Sequence, residues 1–398
     1  MSRRLPGLRE YYLLEGLNAL GTNVFFLGIF FHARAAHGFS DTANLLLAAT
    51  QGAAYVLATR AGGRFADRAG VDRSIACGLA GMCLAAVAGW WLRPGWALFV
   101  AIAGYSASSA LTWPALEAAI ALAPGRASLE HRTGLYNVVW SLVGAAGFFL
   151  SGPLFVLDAD AVFWVPLAAH LLQLGGLAVV HASLRGVSPA AGRDPAARRR
   201  ATAGPALPSG HAGGRERLLR SARVANGLNY FFFGAFTALA PTLAERLGLG
   251  PRLGIWLVSM YLFSRSAAFL LLWLWTGWVN RLPWLAAALL LPPAAFAWLF
   301  LSTSPAAAVG ALAVLGAMSG VAYAASLRAS LDRDGSEGEG GGVHEWVIGV
   351  GILLGPVAGA AGTGLLANTA RAGIFVAALG AATALAGLAQ LARRPPAG

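Results

Sequence analysis

Ionisable and amide side chains set inside long apolar runs are the part of this sequence that could do chemistry. Arg265 stands in "YLFSRSAAFLL". At such depth a guanidinium must face a partner carboxylate or an anionic solute, since lipid offers it neither water nor counter-charge. Gln51 and Tyr55, Thr22, and His170 with Gln173 fall at similar depth in other runs. A second set lies toward one end of the runs: Glu15 and Asn18, Glu117, Asn137 and Trp140, Asn226 with Asn229 and Tyr230, and His344 with Glu345. Helical spacing puts Glu15 with Asn18, and Asn226 with Asn229 and Tyr230, on common faces. The expected solute contacts are Arg265, Asn18, Gln51, Asn137, Trp140, Asn226, Asn229 and Tyr230. Glu15, Glu117, Glu345 and His170 are the candidates for proton coupling, because carboxylates and imidazoles held away from water can exchange protons.

Each of these residues also has a plainer reading. Arg265 could sit in a fixed ion pair that holds two helices together. His170 could be a satisfied core imidazole, and Glu345 a first-turn carboxylate favoured by the helix dipole alone. The second set as a whole reads either as a lower binding shell or as an inner gate.

Other chemistries find no pattern. There is no G-x-S-x-G elbow, phosphate-binding loop or H-E-x-x-H pair. Counted from Asp332, the acidic stretch "LDRDGSEGEGGGVHE" puts Glu337 and Val343 where a calcium loop needs glycine and glutamate, so it reads as a hinge. Cys77 and Cys83, six residues apart in one run, are too distant along a helix for a disulfide. We expect no cofactor, no metal site and no enzyme activity.

The elements that must hold these residues are membrane spans. Of the 398 residues 57% are hydrophobic and only 12% charged, against roughly 25% charged in soluble domains. The mean hydropathy is +0.64. Apolar runs near bilayer length recur, at about 20 residues each. Twelve are expected, at 11–32, 42–61, 74–92, 96–121, 133–156, 160–183, 224–244, 253–276, 283–302, 305–327, 343–368 and 372–391. The opening "MSRRLPGLRE" imitates a signal peptide, but Glu15, Asn18 and Asn23 interrupt the run, so it reads as a retained first span.

Residues 186–222, rich in Pro, Gly, Ala and Arg, read as a flexible basic linker. It separates an N-terminal bundle (1–185) from a C-terminal one (223–398), each with six spans. All 29 basic residues are arginine. With both termini in the cytoplasm, only Arg34, Arg93, Arg246, Arg252 and Arg371 fall outside, as the positive-inside rule requires. The net charge of +12 thus speaks for topology, and no nucleic-acid partner is expected. The halves also echo each other. "EGLNALGTNVFF" (15–26) pairs with "NGLNYFFFGAF" (226–236), and Gly152-Pro153 pairs with Gly355-Pro356. Internal repeats of this kind place a solute site between the halves.

Between spans two and three, "GGRFADRAGVDR" (62–73) concentrates charge around glycine. Its pattern Gly63-x-x-x-Asp67-Arg68-x-Gly70, closed by Arg73, resembles the loop signature of the major facilitator superfamily. Val71 and Asp72 depart from that signature, and "TGWVNR" (276–281) keeps only Asn280-Arg281 of it. The resemblance implies an all-α protein with twelve transmembrane helices in two pseudo-symmetric bundles. It implies a secondary transporter in a bacterial inner membrane, monomeric, moving a small polar or anionic solute by alternating access with or without protons. Gly63, Asp67, Arg68 and Gly70 would be gate residues, with Asp67 meeting the start of span eleven. Gly342, Gly351, Gly355, Pro356 and Gly359 resemble the family's antiporter motif, displaced to span eleven; close packing explains them equally well. Proton-driven export of amphipathic compounds stays open beside uptake, as do a sensor or an intramembrane enzyme on the same fold.

Overall fold

The computed structural model describes residues 8–122, 129–184, 212–279, 281–331, 337–366 and 368–392. Its elements are α1 (Leu8–His37), α2 (Asp41–Ala69), α3 (Val71–Trp91), α4 (Trp96–Ser109), α5 (Trp113–Leu122), α6 (Leu129–Leu157) and α7 (Ala161–Leu184). The second half holds α8 (Ala212–Arg246), α9 (Pro251–Leu274), a 3-10 turn (Thr276–Trp278), α10 (Leu282–Leu301), α11 (Pro305–Leu331), α12 (Glu337–Leu366) and α13 (Thr369–Ala392). With α4 and α5 counted as one broken span, twelve helices cross in two six-helix bundles.

Among the described residues nine of these helices are long and apolar enough to cross a bilayer by themselves. The three crossings that fall short are α2, the α4–α5 pair and α8. Asn44, Gln51 and Thr59 dilute α2, and Asn226 and Asn229 dilute α8; all five are buried. The fourth crossing is interrupted, because Pro114 in the first turn of α5 has no N–H to continue the ladder from α4. The carbonyl of Leu111 at this break accepts instead from Ser74 Oγ at 2.7 Å. α2 passes so close that a Cβ on Gly62 would strike the Ala110 carbonyl. This break turns Trp113 and Glu117 toward the centre of the molecule.

Three sequence expectations change in detail. Residues 62–73 are mostly helix: α2 runs to Ala69, and the turn into α3 is Gly70 alone, at φ +92°. Only glycine takes that conformation without strain. Glu345 is not in a first turn, because α12 begins at Glu337. The linker expected over 186–222 is shorter, since 212–222 are the opening turns of α8. Leu219 and Ala222 are buried there and Arg220 pairs with Glu216 at 3.0 Å, so this stretch buries an apolar face as a helix. The rest of that linker lies outside the described residues.

The two bundles repeat one packing plan. α1 rests on α6 and α7, as α8 rests on α12 and α13; α3 meets α4 and α7, as α10 meets α11 and α13. Two seams join the bundles, α2 along α12 and α6 along α9. Glycines make the first seam and its backing possible. Gly52 faces the backbone of Ile352 and Leu353, and Gly351 and Gly355 face the backbone of α8 at Gly227 and Phe231. A Cβ at any of these would meet main chain. The glycines of span eleven are therefore where α12 is clasped between α2 and α8.

Candidate functional site

Between the bundles lies a cavity of about 70 Å³, taken as the space a water centre can occupy. At about 10–15 Å³ per water it holds a handful of waters or one small group. A larger solute needs the halves to part.

α9 presents Arg265 to this cavity, 2% exposed. Its guanidinium carbon sits 4.5 Å from the Trp140 ring centre, 5.4 Å from Tyr261 and 5.8 Å from Phe233, an aromatic box that favours a cation. Among the described residues Arg265 makes no ion pair, and its Nε has no hydrogen-bond partner. The fixed ion pair that the sequence left open is absent from the described residues. Trp140 is steadied from behind by Asn137, whose Oδ1 accepts its indole N–H at 3.3 Å.

Gln51, Trp140 and Tyr230 line the cavity beside Arg265, whereas Asn18, Asn137, Asn226 and Asn229 lie behind its wall. Asn229 donates to the Ala225 carbonyl at 2.8 Å and to Ala288 at 3.1 Å, tying α8 to α10. Asn18 and Asn226 are fully buried with both amide atoms unpartnered. They occupy matching places in α1 and α8.

His170 is away from the cavity. The Gln173 amide nitrogen is committed to the Leu14 carbonyl at 2.7 Å, so its oxygen accepts from His170 Nδ1, also at 2.7 Å. Nε2 is left to accept the Tyr105 hydroxyl at 2.5 Å. Both ring nitrogens are thus engaged inside the first bundle.

Toward the α2–α3 end of the cavity three buried carboxylates converge: Glu15 of α1, Glu117 of α5 and Glu345 of α12. Glu345 lines the cavity and accepts from Tyr55 at 2.5 Å; Glu117 accepts from Tyr323 at 3.1 Å. Glu15 sits beside the Trp113 and Asn18 side chains. His344, fully buried, joins Glu117 and Glu345 in a group whose ligating atoms lie within 4.8 Å of one another. Like charges this close in a water-poor interior repel strongly, so the cluster calls for compensating positive charge.

The expected gate residues take different positions. Gly63 is buried, and a Cβ on Gly342 of α12 would lie 3.8 Å from its Cα. Asp67 and Arg68 are exposed in the last turn of α2. Arg60 covers the Trp346 ring at 4.8 Å, a further bridge between the bundles at this end.

Sequence reasoning missed two features. The first is the set of tyrosines: Tyr136 and Tyr323 join Tyr55 and Tyr230 around the carboxylates. Six of the eight tyrosines are buried, although tyrosine in spans usually marks the interface belts. That misplacement is the signal that could have found them. The second is a polar latch at the α1–α2 end. Arg34 donates to both Glu245 oxygens, at 3.1 and 2.7 Å, and lies 3.7 Å from Asp41. Asp41 accepts from Thr242 and, at 2.7 Å, from Thr369, so one side chain holds α8 and α13 of the second bundle. No local pattern joins Arg34 to a glutamate 211 residues away.

Comparison with known proteins bears on this geometry. The family model described as Major Facilitator Superfamily matches residues 12–356. No curated protein matches the chain. In structure it is similar to the human organic anion transporter MFSD10 (TETRAN), at TM-score 0.65 and 16% identity, over 96% of this chain and 98% of that one. It is also similar to the nucleoside transporter NupG, at TM-score 0.69 and 10% identity, over 97% of this chain and 99% of that one. Likeness at such low identity speaks for the fold.

Proposed function

The chain belongs to the Major Facilitator Superfamily and is a multi-pass membrane transporter, and from that premise we propose that it carries a small organic anion by alternating access. One observation supports this above the rest. Arg265 places a positive charge in the wall of the central cavity with aromatic rings around it and no carboxylate paired to it among the described residues. Isolated charge in low dielectric is costly, and an anionic solute group would relieve that cost at the moment of binding. Trp140, Tyr230 and Phe233 offer apolar contact to the body of the same solute, with Gln51 as a neutral polar contact. The structurally similar MFSD10 is an organic anion transporter, which agrees with this choice.

In this reading the halves rock about the cavity. Gly63 packed on Gly342 closes the α2–α3 end, with Asp67 and Arg68 stabilising that closure and Gly70 setting the turn. Protons supply coupling through Glu15, Glu117 and Glu345, which lie together at one end of the cavity; His170, with both nitrogens engaged, is the weakest of the four candidates. The arginine distribution supports cytoplasmic termini in a bacterial inner membrane, and the protein works as a monomer.

The aromatic cavity wall also favours a second reading, export of amphipathic compounds against protons. The two differ in solute and in direction, and direction is read from pH: uptake with protons alkalinises the outer medium on solute addition, and export by exchange acidifies it. The test of the main reading is a thermal-shift screen of purified protein against aliphatic carboxylates, aromatic carboxylates and neutral nucleosides. Carboxylates should raise the melting temperature of the wild type and lose that effect with Arg265→Ala. Carboxylate binding of unchanged affinity in that variant would sink the assignment.

A further inference from the structure

We propose that Glu117, His344 and Glu345 form a binding site for a divalent first-row transition-metal ion, at the floor of the cavity and across the two bundles. This inference does not rest on the Arg265 assignment, but it takes two carboxylates of the proposed coupling set, so a bound metal and a coupling proton compete for them. It begins with donor atoms that the protein leaves unused. Among the described residues His344 Nε2 is buried without a hydrogen-bond partner, and Glu117 Oε2 meets no donor apart from the neighbouring Glu345 carboxyl; the two residues are 0% and 1% exposed. One carboxylate oxygen from each glutamate and one ring nitrogen of His344 lie within 4.8 Å of one another, and His344 Nε2 is 4.0 Å from Glu345 Oε1. Buried polar atoms are nearly always satisfied in folded proteins, so an unpartnered ring nitrogen facing two crowded carboxyls points to something that joins them.

The remaining atoms of the same side chains are held from outside. Tyr323 binds Glu117 Oε1 at 3.1 Å, Tyr55 binds Glu345 Oε2 at 2.5 Å, and Ser326 binds His344 Nδ1 at 2.9 Å. The tautomer that donates Nδ1–H to Ser326 leaves the Nε2 lone pair for a ligand. An outer ring of hydroxyls that fixes each ligating side chain and its tautomer is how metal sites are usually supported. Imidazole with two carboxylates suits zinc, manganese, iron or cobalt, and does not suit magnesium or calcium, which prefer oxygen alone.

Charge and size agree. Two carboxylates cancel a dication, which removes their mutual repulsion in the low-dielectric interior. Ligand atoms about 2.0–2.2 Å from a metal lie about 3–3.5 Å apart. Closing from the present separations therefore takes about 1 Å of side-chain rotation. Glu345 lines the cavity, so an ion reaches the site from the same space as the solute. Arg223 is an opposing group whose field reaches His344, while its guanidinium donates to Ser330 at 3.4 Å. Glu15 adds a third carboxylate beside Glu345.

Because Glu117 belongs to the first bundle and the other two ligands to the second, a bound metal pins the α2–α3 end together.

The test uses tag-free, chelator-stripped, full-length protein in detergent, titrated with Co²⁺ and then with Zn²⁺. The expected result is one equivalent of Co²⁺ with intensified visible d–d absorption, displaced by Zn²⁺ and accompanied by a higher melting temperature. Glu117→Gln and His344→Asn should each weaken binding at least tenfold, whereas Arg265→Ala, which abolishes carboxylate binding in the proposal above, should keep the metal. Absence of a stoichiometric equivalent overturns the site. So does equal binding in both ligand variants, which would place the ion on surface histidines such as His37 or His131. Should both variants fail to fold, X-ray absorption of Zn²⁺ on the wild type decides: one imidazole among oxygen ligands supports the site, and several imidazoles or none refute it.

Discussion

The two ends of the bundle pair are held by opposite means. At the α1–α2 end long charged side chains reach across water-accessible space: Arg34 to Glu245, and Asp41 to Thr242 and Thr369. At the α2–α3 end the helices meet through small residues, Gly342 facing Gly63 and the Thr59 carbonyl with room for a methyl between them, and buried carboxylates lie above the contact. Water can replace the partners of the first end as it opens, so breaking it costs little. At the second end the cluster of Glu15, Glu117 and Glu345 has no such substitute, and its charge must be balanced by whatever enters the cavity. The contrast assigns the ends separate duties, an electrostatic clasp at one and a ligand-dependent closure at the other.

Several substitutions would break or sharpen that contrast. The largest effect belongs to Gly52→Ala, at the level where the ends pivot, because a Cβ there meets the backbone of Ile352 and Leu353. Overpacking of this kind costs about 1–3 kcal/mol, and we expect a lower melting temperature in detergent with transport in proteoliposomes reduced at least tenfold. Wild-type stability and activity would mean that the seam is looser than described. Next is Asp41→Ala, which strips the clasp of its bonds to both threonines and its contact with Arg34. Hydrogen bonds to a charged group contribute about 1.5–3 kcal/mol, so the α1–α2 end should open roughly tenfold more often, at 1.4 kcal/mol per decade. In a Cys77→Ser background a cysteine at Thr363 should then react faster with a membrane-impermeant maleimide. An unchanged rate would show that other contacts hold this end.

Glu245→Gln should act in the same direction but more weakly. Glu245 is half exposed and Arg34 about a third, and exposed pairs contribute about 0.2–1 kcal/mol. The difference from wild type should shrink at 1 M salt, where the screening length falls to about 3 Å; a difference that persists undiminished would argue for a buried pair. The smallest effect is expected at the other end, from Gly342→Ala. Its Cβ would lie 3.5 Å from the Thr59 carbonyl and 3.8 Å from Gly63 Cα, ordinary contact distances. A stability change within about 0.5 kcal/mol is expected by chemical denaturation. A large loss would show that the α2–α3 closure has no slack at all.

Much of this architecture could be read from residue order. Runs of apolar residues near bilayer length, interrupted by arginine-rich turns, dictate a twelve-span all-α membrane protein, and the paired "EGLN" and "NGLN" segments announce two related halves. The polar residues inside the runs were visible for the same reason: each is an energetic anomaly in lipid, and Arg265, Glu117 and Glu345 stand out against their neighbours whatever surrounds them. The three crossings that fall short, two diluted by polar residues and one broken in the middle, are the ones that bring Gln51, Trp113 and Tyr230 to the cavity.

Packing alone decided which of those anomalies meet. Helical periodicity groups Asn226 with Tyr230 on one helix, but the rotation of α8 in its bundle puts Tyr230 on the cavity and Asn226 behind it. Arg34 and Glu245, or Glu117 and His344, are brought together by helix crossings between residues hundreds of positions apart, where short-range patterns carry no information. Order along the chain settles what is buried in a membrane; which buried groups share a site depends on close contact between helices, made possible here by glycines on α2 and α12.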